Sequence, residues 1–366
     1  MGIKGLHKFL EKNTTNAIKE IKVQDLQDKI IAIDTSIILY QYMIAIKTNT
    51  QDFKTSSGKI TSHIHAILIK TLSLLKQKIK PIFIFDGSPP SIKKNILQNR
   101  KKIKDKANEK IDYINDELKN NTNQDEIDVL ELEKKKYEKR TLLITQEQIE
   151  ECQEIINLLG IPIINAPEEA DSQCAWLIKN NFIDYVASED MDLLTFGTSK
   201  LLRGLNSKNK IIEYNLEKIL EDLGISYIQF IELCILLGCD YCSTINKIGP
   251  TKAYEYIKKY KTIKRLIRKN NLDVENFDYE IAKLYFINPP VNKVLKKNLI
   301  WNKPDYDKLK LLLVEKYEYT DIQLSKLFNT LKGGYYSVIC GDKTKDEYYN
   351  EKRSYYNSII SEISFD

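Results

Sequence analysis

Short runs of Ile, Val and Phe alternate along the chain with longer segments whose apolar residues recur at helical spacing. Four of the short runs predict β-strands, at about residues 29–33, 81–85, 161–164 and 183–187. Three of the longer segments predict helices, at about 62–78, 145–159 and 170–180. Strands that alternate with helices are typical of an α/β fold, with a mostly parallel sheet and helices on both faces.

Three of the predicted strands end alike, with aspartate followed by turn or helix-start residues. Asp34 directly follows the apolar part of KIIAIDTS, and Asp86 directly follows that of KPIFIFDGSPP. Asp190 and Asp192 come after the third apolar run, in VASEDMDLLTFG. One acidic strand end is usually part of a solvated turn. Three of them in a parallel sheet predict one shared crevice, because sites in such sheets lie beyond the carboxyl ends of the strands.

Two further acidic groups fit the same crevice. Glu169 and Asp171 lie at the start of a helix, after the strand predicted at 161–164. A helix dipole favours negative charge there, so helix capping explains them equally well. Asp240 follows the apolar helix in FIELCILLGCDYC, where an acid is more often a C-terminal turn residue than a ligand.

Together these acids predict a divalent metal site. Without cations, carboxylates packed closely would repel one another and several would have to protonate. Oxygen donors with no His or Cys among them favour Mg²⁺ or Mn²⁺ over zinc. Two such ions about 4 Å apart hold the attacking water and the leaving oxygen of a phosphodiester in line. The sequence therefore predicts metal-assisted hydrolysis of a phosphodiester. The residues predicted to bind the metal ions are Asp34, Asp86, Glu169, Asp171, Asp190, Asp192 and Asp240.

Composition limits the class of protein. A chain of 366 residues with 42% hydrophobic content predicts a substantial core and one or two domains. Six scattered cysteines suit reduced thiols inside a cell. The first residues lack the apolar core of a secretory leader, and the longest apolar region is interrupted by Asp34 and Gln41. We therefore expect an intracellular protein with no membrane partner.

The net charge of +5 is mild, but the basic residues come in runs, notably at 93–110 and 134–140. Between residues 90 and 146 the chain is charged, helical in propensity and poor in core residues, around the polar spacer KNNTNQDEID. A solvated helical hairpin or a disordered linker is the simple interpretation. The functional one is a mobile basic arch beside the crevice, with its first helix starting at Pro89 or Pro90.

The segment INKIGPTKAYEYIKKYK predicts a tight turn at Gly249 and Pro250, followed by a lysine-rich helix. Backbone amides at such a helix start bind a phosphate without reading sequence. An ordinary turn between two helices explains the segment equally well.

Eight segments resemble, in order and with similar spacing, the signature segments of the flap endonuclease family of structure-specific 5′ nucleases. They are MGIKGLHKFL, IAIDTSIILYQY, TSHIHAI, KPIFIFDGSPPSIKK, APEEADSQCAWL, SEDMDLLTFG, LCILLGCDYC and IGPTKAYEYIKKY. The resemblance covers about residues 1–330 and implies a PIN-like α/β core with a helical arch. It also implies a helix-turn-helix, of helix-hairpin-helix-like type, that binds DNA and holds a K⁺ ion.

The domain layout follows from the same resemblance. It implies a 5′ nuclease domain at 1–330 and a C-terminal tail at 331–366. Within the domain it implies an N-terminal nuclease region at 1–105, the arch at about 90–145, an internal region at 146–262 and the helix-turn-helix at about 238–262. The stretch between Arg100 and Pro162 is longer than in typical members of the family.

The resemblance also gives roles to individual positions. Asp34, Asp86, Glu169 and Asp171 would serve the first metal, and Asp190, Asp192 and Asp240 mainly the second. Asp171 stands where the family more often has Glu. Lys93 and Arg100 match a basic pair that contacts the scissile phosphate and stabilises transition-state charge. The matching DNA-binding positions are Gly2, Tyr40, Lys47, Gly249 and Lys252.

The implied activity is a Mg²⁺-dependent 5′ flap endonuclease with 5′ to 3′ exonuclease activity, acting in DNA replication and repair. Its substrates would be DNA with 5′ flaps, nicks or gaps, and we expect a monomer. Three alternatives stay open: a gap or exonuclease, a Holliday-junction resolvase, or an inactive DNA-binding scaffold. The tail lacks the Gln-led, double-aromatic sliding-clamp motif, so clamp binding by that route is not expected. The expected location is the nucleus, or the replication site of a large DNA virus.

Overall fold

A central β-sheet organises the chain. The computed structural model describes residues 2–49, 53–205, 210–245, 248–272, 274 and 277–339. The strands in these ranges are β1 (Ile18–Ile21), β2 (Ile30–Asp34), β3 (Lys80–Phe85), β4 (Ile163–Asn165), β5 (Tyr185–Ala187), β6 (Lys200–Arg203) and β7 (Ile211–Asn215). They form one seven-stranded sheet in the order β1-β7-β6-β5-β2-β3-β4. The four predicted strands are β2 to β5, and the sequence analysis missed the other three.

The predicted sheet type is confirmed. Strands β4, β3, β2, β5 and β6 are parallel to one another, whereas β7 is antiparallel to both β6 and β1. The chain lays β3 and then β4 on one side of β2, and afterwards β5 and β6 on the other. The sheet therefore changes its direction of growth between β2 and β5, which is where a ligand crevice forms in sheets of this kind.

Helices surround the sheet. The α-helices in the described ranges are α1 (Leu6–Asn13), α2 (Thr35–Asn49), α3 (Ser62–Lys76), α4 (Lys94–Asn120), α5 (Gln124–Thr141), α6 (Gln146–Leu158), α7 (Ala170–Lys179), α8 (Asp192–Thr195), α9 (Leu216–Leu223), α10 (Tyr227–Leu237), α11 (Pro250–Tyr260), α12 (Ile263–Asn270), α13 (Tyr279–Ile287), α14 (Tyr306–Tyr317) and α15 (Asp321–Ile339). The three helices predicted from the apolar spacing are α3, α6 and α7. In the described part of the chain, no helix combines the length and the apolar character that crossing a membrane requires.

Two hydrophobic cores lie on opposite faces of the sheet. On β2, Ile31 and Ile33 belong to one core and Ala32 to the other, because successive side chains of a strand point to opposite faces. One core contains apolar residues of α3, α6, α14 and α15. The other contains those of α1, α7 and α9 to α13. Burial on both faces holds the carboxyl ends of β2 and β5 in fixed positions.

Helices α4 and α5 form a hairpin that carries the two basic runs. Only Ala107 and Ile114 of α4 are buried, and α5 has no buried residue. A short 3₁₀ turn, Ser91–Lys93, comes first, so α4 starts at Lys94 rather than at Pro89 or Pro90. Pro90 itself has an extended backbone, with ψ at 140°, which delays the helix.

The polar spacer predicted inside this hairpin is mostly helical. Only residues 121–123 separate α4 from α5, and the acids that follow begin α5. The Asn123 side chain accepts a hydrogen bond from the Asp125 amide and caps the helix. Asp125 and Glu126 in the first turn suit the positive end of the helix dipole. The polar composition of this spacer suggested a loop, but the Asn123 cap begins α5 within it.

The predicted boundary between residues 330 and 331 falls inside a helix, since α15 runs without interruption to Ile339. Helix α15 packs against α3, in the core that also contains residues of α6 and α14. Residues 340–366, which include most of the predicted tail, lie outside the described residues.

Candidate metal centre

The fold brings all seven predicted carboxylates into one electrostatically coupled group. The Asp34 carboxylate is affected by the charges of Asp86 and Asp190. The Asp171 carboxylate is affected by those of Asp190, Asp34, Glu169 and Asp192, and the Asp192 carboxylate by those of Asp190 and Asp240. The carboxyl ends of β2, β3 and β5, the start of α7 and the end of α10 therefore meet at one crevice.

Asp34 is buried, and two hydrogen bonds hold its carboxylate. The Ser188 hydroxyl donates to its Oδ2 at 3.0 Å, and the Ile37 amide donates to its Oδ1 at 3.3 Å. Burial, and then the charge of Asp86, raise the pKa of Asp34 from 3.8 to about 8. Ser188 also accepts from the Asp190 amide at 3.1 Å, so one hydroxyl ties the end of β2 to the loop after β5.

Asp171 and Asp192 each have a buried oxygen without a partner. In the described structure, Oδ1 of both side chains is buried and has no hydrogen bond. Burial, and then the charge of Asp190, raise the pKa of both carboxyls well above its ordinary value. Buried carboxylate oxygens that no protein donor satisfies suit a hard divalent cation.

The remaining acids are held by backbone or by basic side chains. Asp86 Oδ1 accepts from the Ala170 amide at 2.8 Å, and Asp190 Oδ1 accepts from the Asp192 amide at 3.0 Å. These bonds fix the carboxylates beyond β3 and β5 at the starts of α7 and α8. Backbone amides at these helix starts thus hold two of the predicted ligands.

Lys93 and Arg100, at the foot of the hairpin, reach into the crevice. The Lys93 ammonium donates to Glu169 Oε1 and lies 3.6 Å from Asp240 Oδ2. The Arg100 guanidinium donates to the same Asp240 oxygen. Burial alone would lower the pKa of Lys93, but the carboxylates of Glu169 and Asp240 raise it above its ordinary value. The Lys93 side chain is therefore charged at neutral pH.

The ion pairs of Lys93 and Arg100 occupy two of the predicted metal ligands. As the described side chains are placed, no three His, Cys, Asp or Glu residues together form a group that could hold a metal ion. Glu169 and Asp240 instead bind Lys93 and Arg100. The ligand roles of the seven carboxylates thus stay a prediction, supported by their clustering and by the partnerless oxygens of Asp171 and Asp192.

Gly2, predicted as a DNA-binding position, lies directly against the carboxylates. A Cβ atom at Gly2 would be 1.9 Å from Asp190 Oδ1 and 2.7 Å from Asp192 Oδ1. Its φ of +85° is also in the left-handed region that favours glycine. Only a residue without a side chain fits at this position.

Tyr241 is a site residue that the sequence analysis missed. It is 2% exposed, and its hydroxyl donates to Glu169 Oε2. Its ring lies 4.8 Å from the Lys93 ammonium, measured to the ring centroid. Its position next to Asp240 in LGCDYC was the one available signal. Tyr241 therefore holds both Glu169 and the lysine that pairs with it.

Changing Tyr241 to Phe should lower the rate of phosphodiester cleavage about tenfold. The ring stays, but Glu169 loses a hydrogen bond to a charged group, which contributes roughly 1.5 kcal/mol or more. Single-turnover rates over a range of Mg²⁺ concentrations measure the effect. Tyr285→Phe is the matched control, because that ring packs 4.8 Å from Tyr241 while its hydroxyl donates to Glu168 instead. Equal losses in the two variants would contradict a specific role for Tyr241.

The other four predicted DNA-binding positions lie on α2 and at the start of α11. Tyr40 is half-buried on α2, with its hydroxyl 3.5 Å from the Lys139 carbonyl of α5, so it lies between the core and the hairpin. Lys47 lies in the last turn of the same helix. Gly249 precedes α11 and is exposed, and a Cβ atom there would meet nothing within 4 Å. Lys252 is exposed in the first turn of α11.

Helices α10 and α11 pack against each other, and residues 238–249 connect them, so the helix-turn-helix at about 238–262 stays a prediction. Two residues of that segment, 246 and 247, lie outside the described residues. The start of α11 lies beside the N-terminal segment that carries Gly2, because a Cβ atom at Gly5 would be 3.5 Å from Pro250 Cγ. The open amides at Gly249 are thus close to the carboxylate crevice.

The contribution of the crevice acids to the stability of the metal-free protein should fall as pH rises. The pKa of Asp34, Asp171 and Asp192 is raised in the folded state, so above about pH 4 these groups bind more protons in the folded chain than in the unfolded one. For Asp34 the window runs from 3.8 to about 8. The melting temperature of wild-type protein in chelator should therefore fall with pH relative to that of Asp192→Asn. This comparison cancels the opposite effect of buried and half-buried bases with a lowered pKa, such as His63, His65 and Lys70.

Mg²⁺ should reverse this effect, because cations compensate the same charges as protons do. At the upper end of the pH window, saturating Mg²⁺ should raise the melting temperature, and at the lower end it should change little. A metal-free protein whose stability relative to Asp192→Asn rises through the window, or one that Mg²⁺ does not stabilise at the upper end, would contradict the assignment.

Two family descriptions match the chain. The XPG N-terminal domain matches residues 1–107, and the XPG I-region matches residues 160–240. The second match ends at Asp240, so the two matched segments together contain all seven acids, Lys93 and Arg100.

Curated relatives extend this similarity over most of the chain. Flap endonuclease 1 of Plasmodium falciparum is 40% identical over 352 residues, which cover 90% of this chain and 52% of the relative. Flap endonuclease 1 of Entamoeba histolytica is 38% identical over 340 residues, covering 91% of this chain and 88% of the relative. The chain spans about half the length of its Plasmodium falciparum relative.

Solved structures share the fold. Flap endonuclease-1 from Methanococcus jannaschii is 28% identical, with a TM-score of 0.66 over 89% of this chain and 97% of that one. The catalytic core of Rad2 in complex with a DNA substrate gives a TM-score of 0.68 at 22% identity, over 90% of this chain and 100% of that one. The second likeness concerns the fold alone.

Proposed function

Because the chain belongs to the flap endonuclease family, we propose that it is a structure-specific 5′ nuclease that hydrolyses DNA at the base of a 5′ flap. A 5′ to 3′ exonuclease activity on nicked or gapped DNA accompanies this cleavage. The observation that carries the proposal is the crevice at the carboxyl ends of β2, β3 and β5. Seven carboxylates interact there with one another and with Lys93 and Arg100.

Two Mg²⁺ ions, or Mn²⁺ in their place, fit the donor chemistry of this crevice. Asp34, Asp86, Glu169 and Asp171 would hold the first ion, and Asp190, Asp192 and Asp240 mainly the second. When bound, such ions activate water and stabilise the leaving oxygen of a phosphodiester. Support comes from the all-oxygen ligand set and from the partnerless buried oxygens of Asp171 and Asp192. A K⁺ ion between α10 and α11 stays a prediction.

Lys93 and Arg100 supply positive charge for the scissile phosphate. Both pair with carboxylates of the crevice, so an arriving phosphate meets two cations that are already directed at the reaction centre. Charge that develops on the phosphate oxygens would then be stabilised by these two cations. Tyr241 holds the Lys93–Glu169 pair in place.

The hairpin and the helix-turn-helix would hold the substrate. The single-stranded flap would pass the basic runs of the hairpin formed by α4 and α5. Tyr40, which lies between the hairpin and the core, would stack on a terminal nucleobase. The amides at Gly249 and the Lys252 side chain bind the phosphates of the uncleaved duplex strand. Because contacts to phosphates provide most of the affinity, binding should weaken steeply with salt. The protein would act as a monomer in replication and repair, in the compartment where its DNA is copied.

The test is Mg²⁺-dependent cleavage of three end-labelled DNAs of matched sequence by untagged protein. These are a 5′ flap, a gapped duplex and a four-way junction, with Asp190→Asn as the control. Preferred cutting at the flap base supports the proposal. Preferred cutting of the gap or the junction would overturn flap specificity in favour of a gap nuclease or a resolvase. If no DNA is cut but all are bound, the chain is a DNA-binding scaffold.

A further inference from the structure

Helix α12 is a second basic element, beyond the helix-turn-helix. Its sequence IKRLIRKN carries four basic residues and no acid. Ile263 and Leu266 are fully buried, so they anchor one side of the helix in the core. The basic side chains are all exposed on the other side, and they are Lys264, Arg265, Arg268 and Lys269.

These four charges have no compensation within the described structure. No described carboxylate forms an ion pair with any of them. Lys264 and Arg268 are like charges at i and i+4, as are Arg265 and Lys269, and such pairs destabilise a helix. Lys264 and Arg265 also occupy the first turn, where the helix dipole disfavours positive charge. The dipole favours the two cations of the last turn, Arg268 and Lys269, but not the two of the first turn, and it leaves the repulsion within both pairs. An external polyanion would compensate these charges.

The position of α12 identifies the polyanion. Helix α11 starts at the open Gly249 amides, next to the segment that carries Gly2, and α12 follows the opposite end of α11 after Thr262. Eleven residues of α helix separate the two ends by roughly 16 Å. That distance corresponds to about five base-pair steps along a duplex strand. A duplex that is bound at the start of α11 and runs along this helix would reach α12.

We propose that the exposed face of α12 binds the phosphate backbone of the duplex arm held by α11, farther from the cleavage point. The inference rests on the proposed function, since it requires that α11 binds duplex DNA. It predicts that affinity depends on the length of that arm. An arm long enough to reach α12 gains contacts to phosphates that a short arm does not make.

The experiment compares wild-type protein with Arg265→Ala/Arg268→Ala. Alanine has the highest helix propensity, so α12 itself is retained. The matched control is Lys296→Ala/Lys297→Ala, an exposed pair of lysines on another element with the same change in charge. Equilibrium binding is measured by fluorescence anisotropy with Ca²⁺ in place of Mg²⁺, on 5′ flap DNA. Each duplex arm in turn is either long or truncated short of α12, at several salt concentrations.

For one arm, wild-type protein should bind the long form more tightly than the truncated form. The α12 variant should lose on the order of tenfold in affinity on the long form, and its salt slope should fall by about two. On the truncated form it should bind like wild type, and the control variant should keep the full dependence on arm length. The same arm-length dependence in the α12 variant as in wild type overturns this inference. So does an equal loss in the control variant, which would indicate an effect of net charge alone. If wild-type protein neither binds nor cuts flap DNA, the proposed function fails first.

Discussion

Replacing Asp192 with asparagine is expected to abolish cleavage and, at the same time, to raise the melting temperature of the metal-free protein. Asp192 is buried, its Oδ1 has no hydrogen-bond partner, and its pKa is raised well above the ordinary value by burial and by Asp190. An ionised carboxylate there destabilises the fold unless a cation compensates it. The amide has nearly the same shape without the charge, so it removes the repulsion and also a metal ligand.

The two effects have different sizes. A metal ion contributes several kcal/mol of transition-state stabilisation, so its impaired binding should lower the single-turnover rate by about a thousandfold or more. The melting temperature in chelator should rise by a few degrees, since burial of one unpaired charge is relieved. Asp307→Asn on α14, an exposed acid outside the crevice, is the control and should change neither quantity much. An Asp192→Asn protein that is inactive because it is less stable would contradict this explanation.

Alanine at Lys93 or at Arg100 should lower the single-turnover rate by about a hundredfold to a thousandfold, at enzyme concentrations that saturate the DNA. This is the range lost when one donor to a developing negative charge is removed. Stability separates the two variants. The Lys93 side chain is 11% exposed and pairs with Glu169 and Asp240, whereas the Arg100 side chain is 45% exposed. Lys93→Ala should therefore destabilise the metal-free protein, and Arg100→Ala much less.

The neighbouring lysines provide controls on the same helix. Lys94 and Lys101 are exposed, and in the described structure neither pairs with a carboxylate of the crevice. Their alanine variants should bind DNA somewhat more weakly and cleave bound DNA at nearly the wild-type rate. If Lys94→Ala slows the cleavage of bound DNA as much as Lys93→Ala does, the effect is a general one of positive charge on the hairpin.

The sequence predicted the centre of the sheet and missed its edge. Strands β2, β3 and β5 are buried on both sides, so each is a nearly continuous apolar run that stands out from its surroundings. Strands β1 and β7 pair antiparallel at one edge, and sequences such as IKEI and IIEYN mix polar and apolar residues over four or five positions. So short a pattern does not distinguish a strand from a loop.

A similar difference separates the site residues that the sequence predicted from those that it missed. The carboxylates were identifiable because each follows an apolar element, so the parallel sheet dictates where they meet. Tyr241 was not, because its contact with Glu169 joins residues that are 72 positions apart in the chain. The pairing of Arg100 with Asp240 spans 140 positions. Side-chain contacts of this kind depend on how α4, α7 and α10 are oriented, which no local pattern contains.

The measurement that tests the central claim most directly is single-turnover cleavage of one 5′ flap DNA by wild-type protein, as a function of Mg²⁺ concentration. Asp190→Asn is assayed beside it. The predicted result is no cleavage in chelator, a rate that rises to saturation with Mg²⁺, a product cut at the flap base, and at least about a thousandfold lower rate for Asp190→Asn. Cleavage that persists in chelator, or an Asp190→Asn protein as active as wild type, would contradict a metal centre formed by these carboxylates.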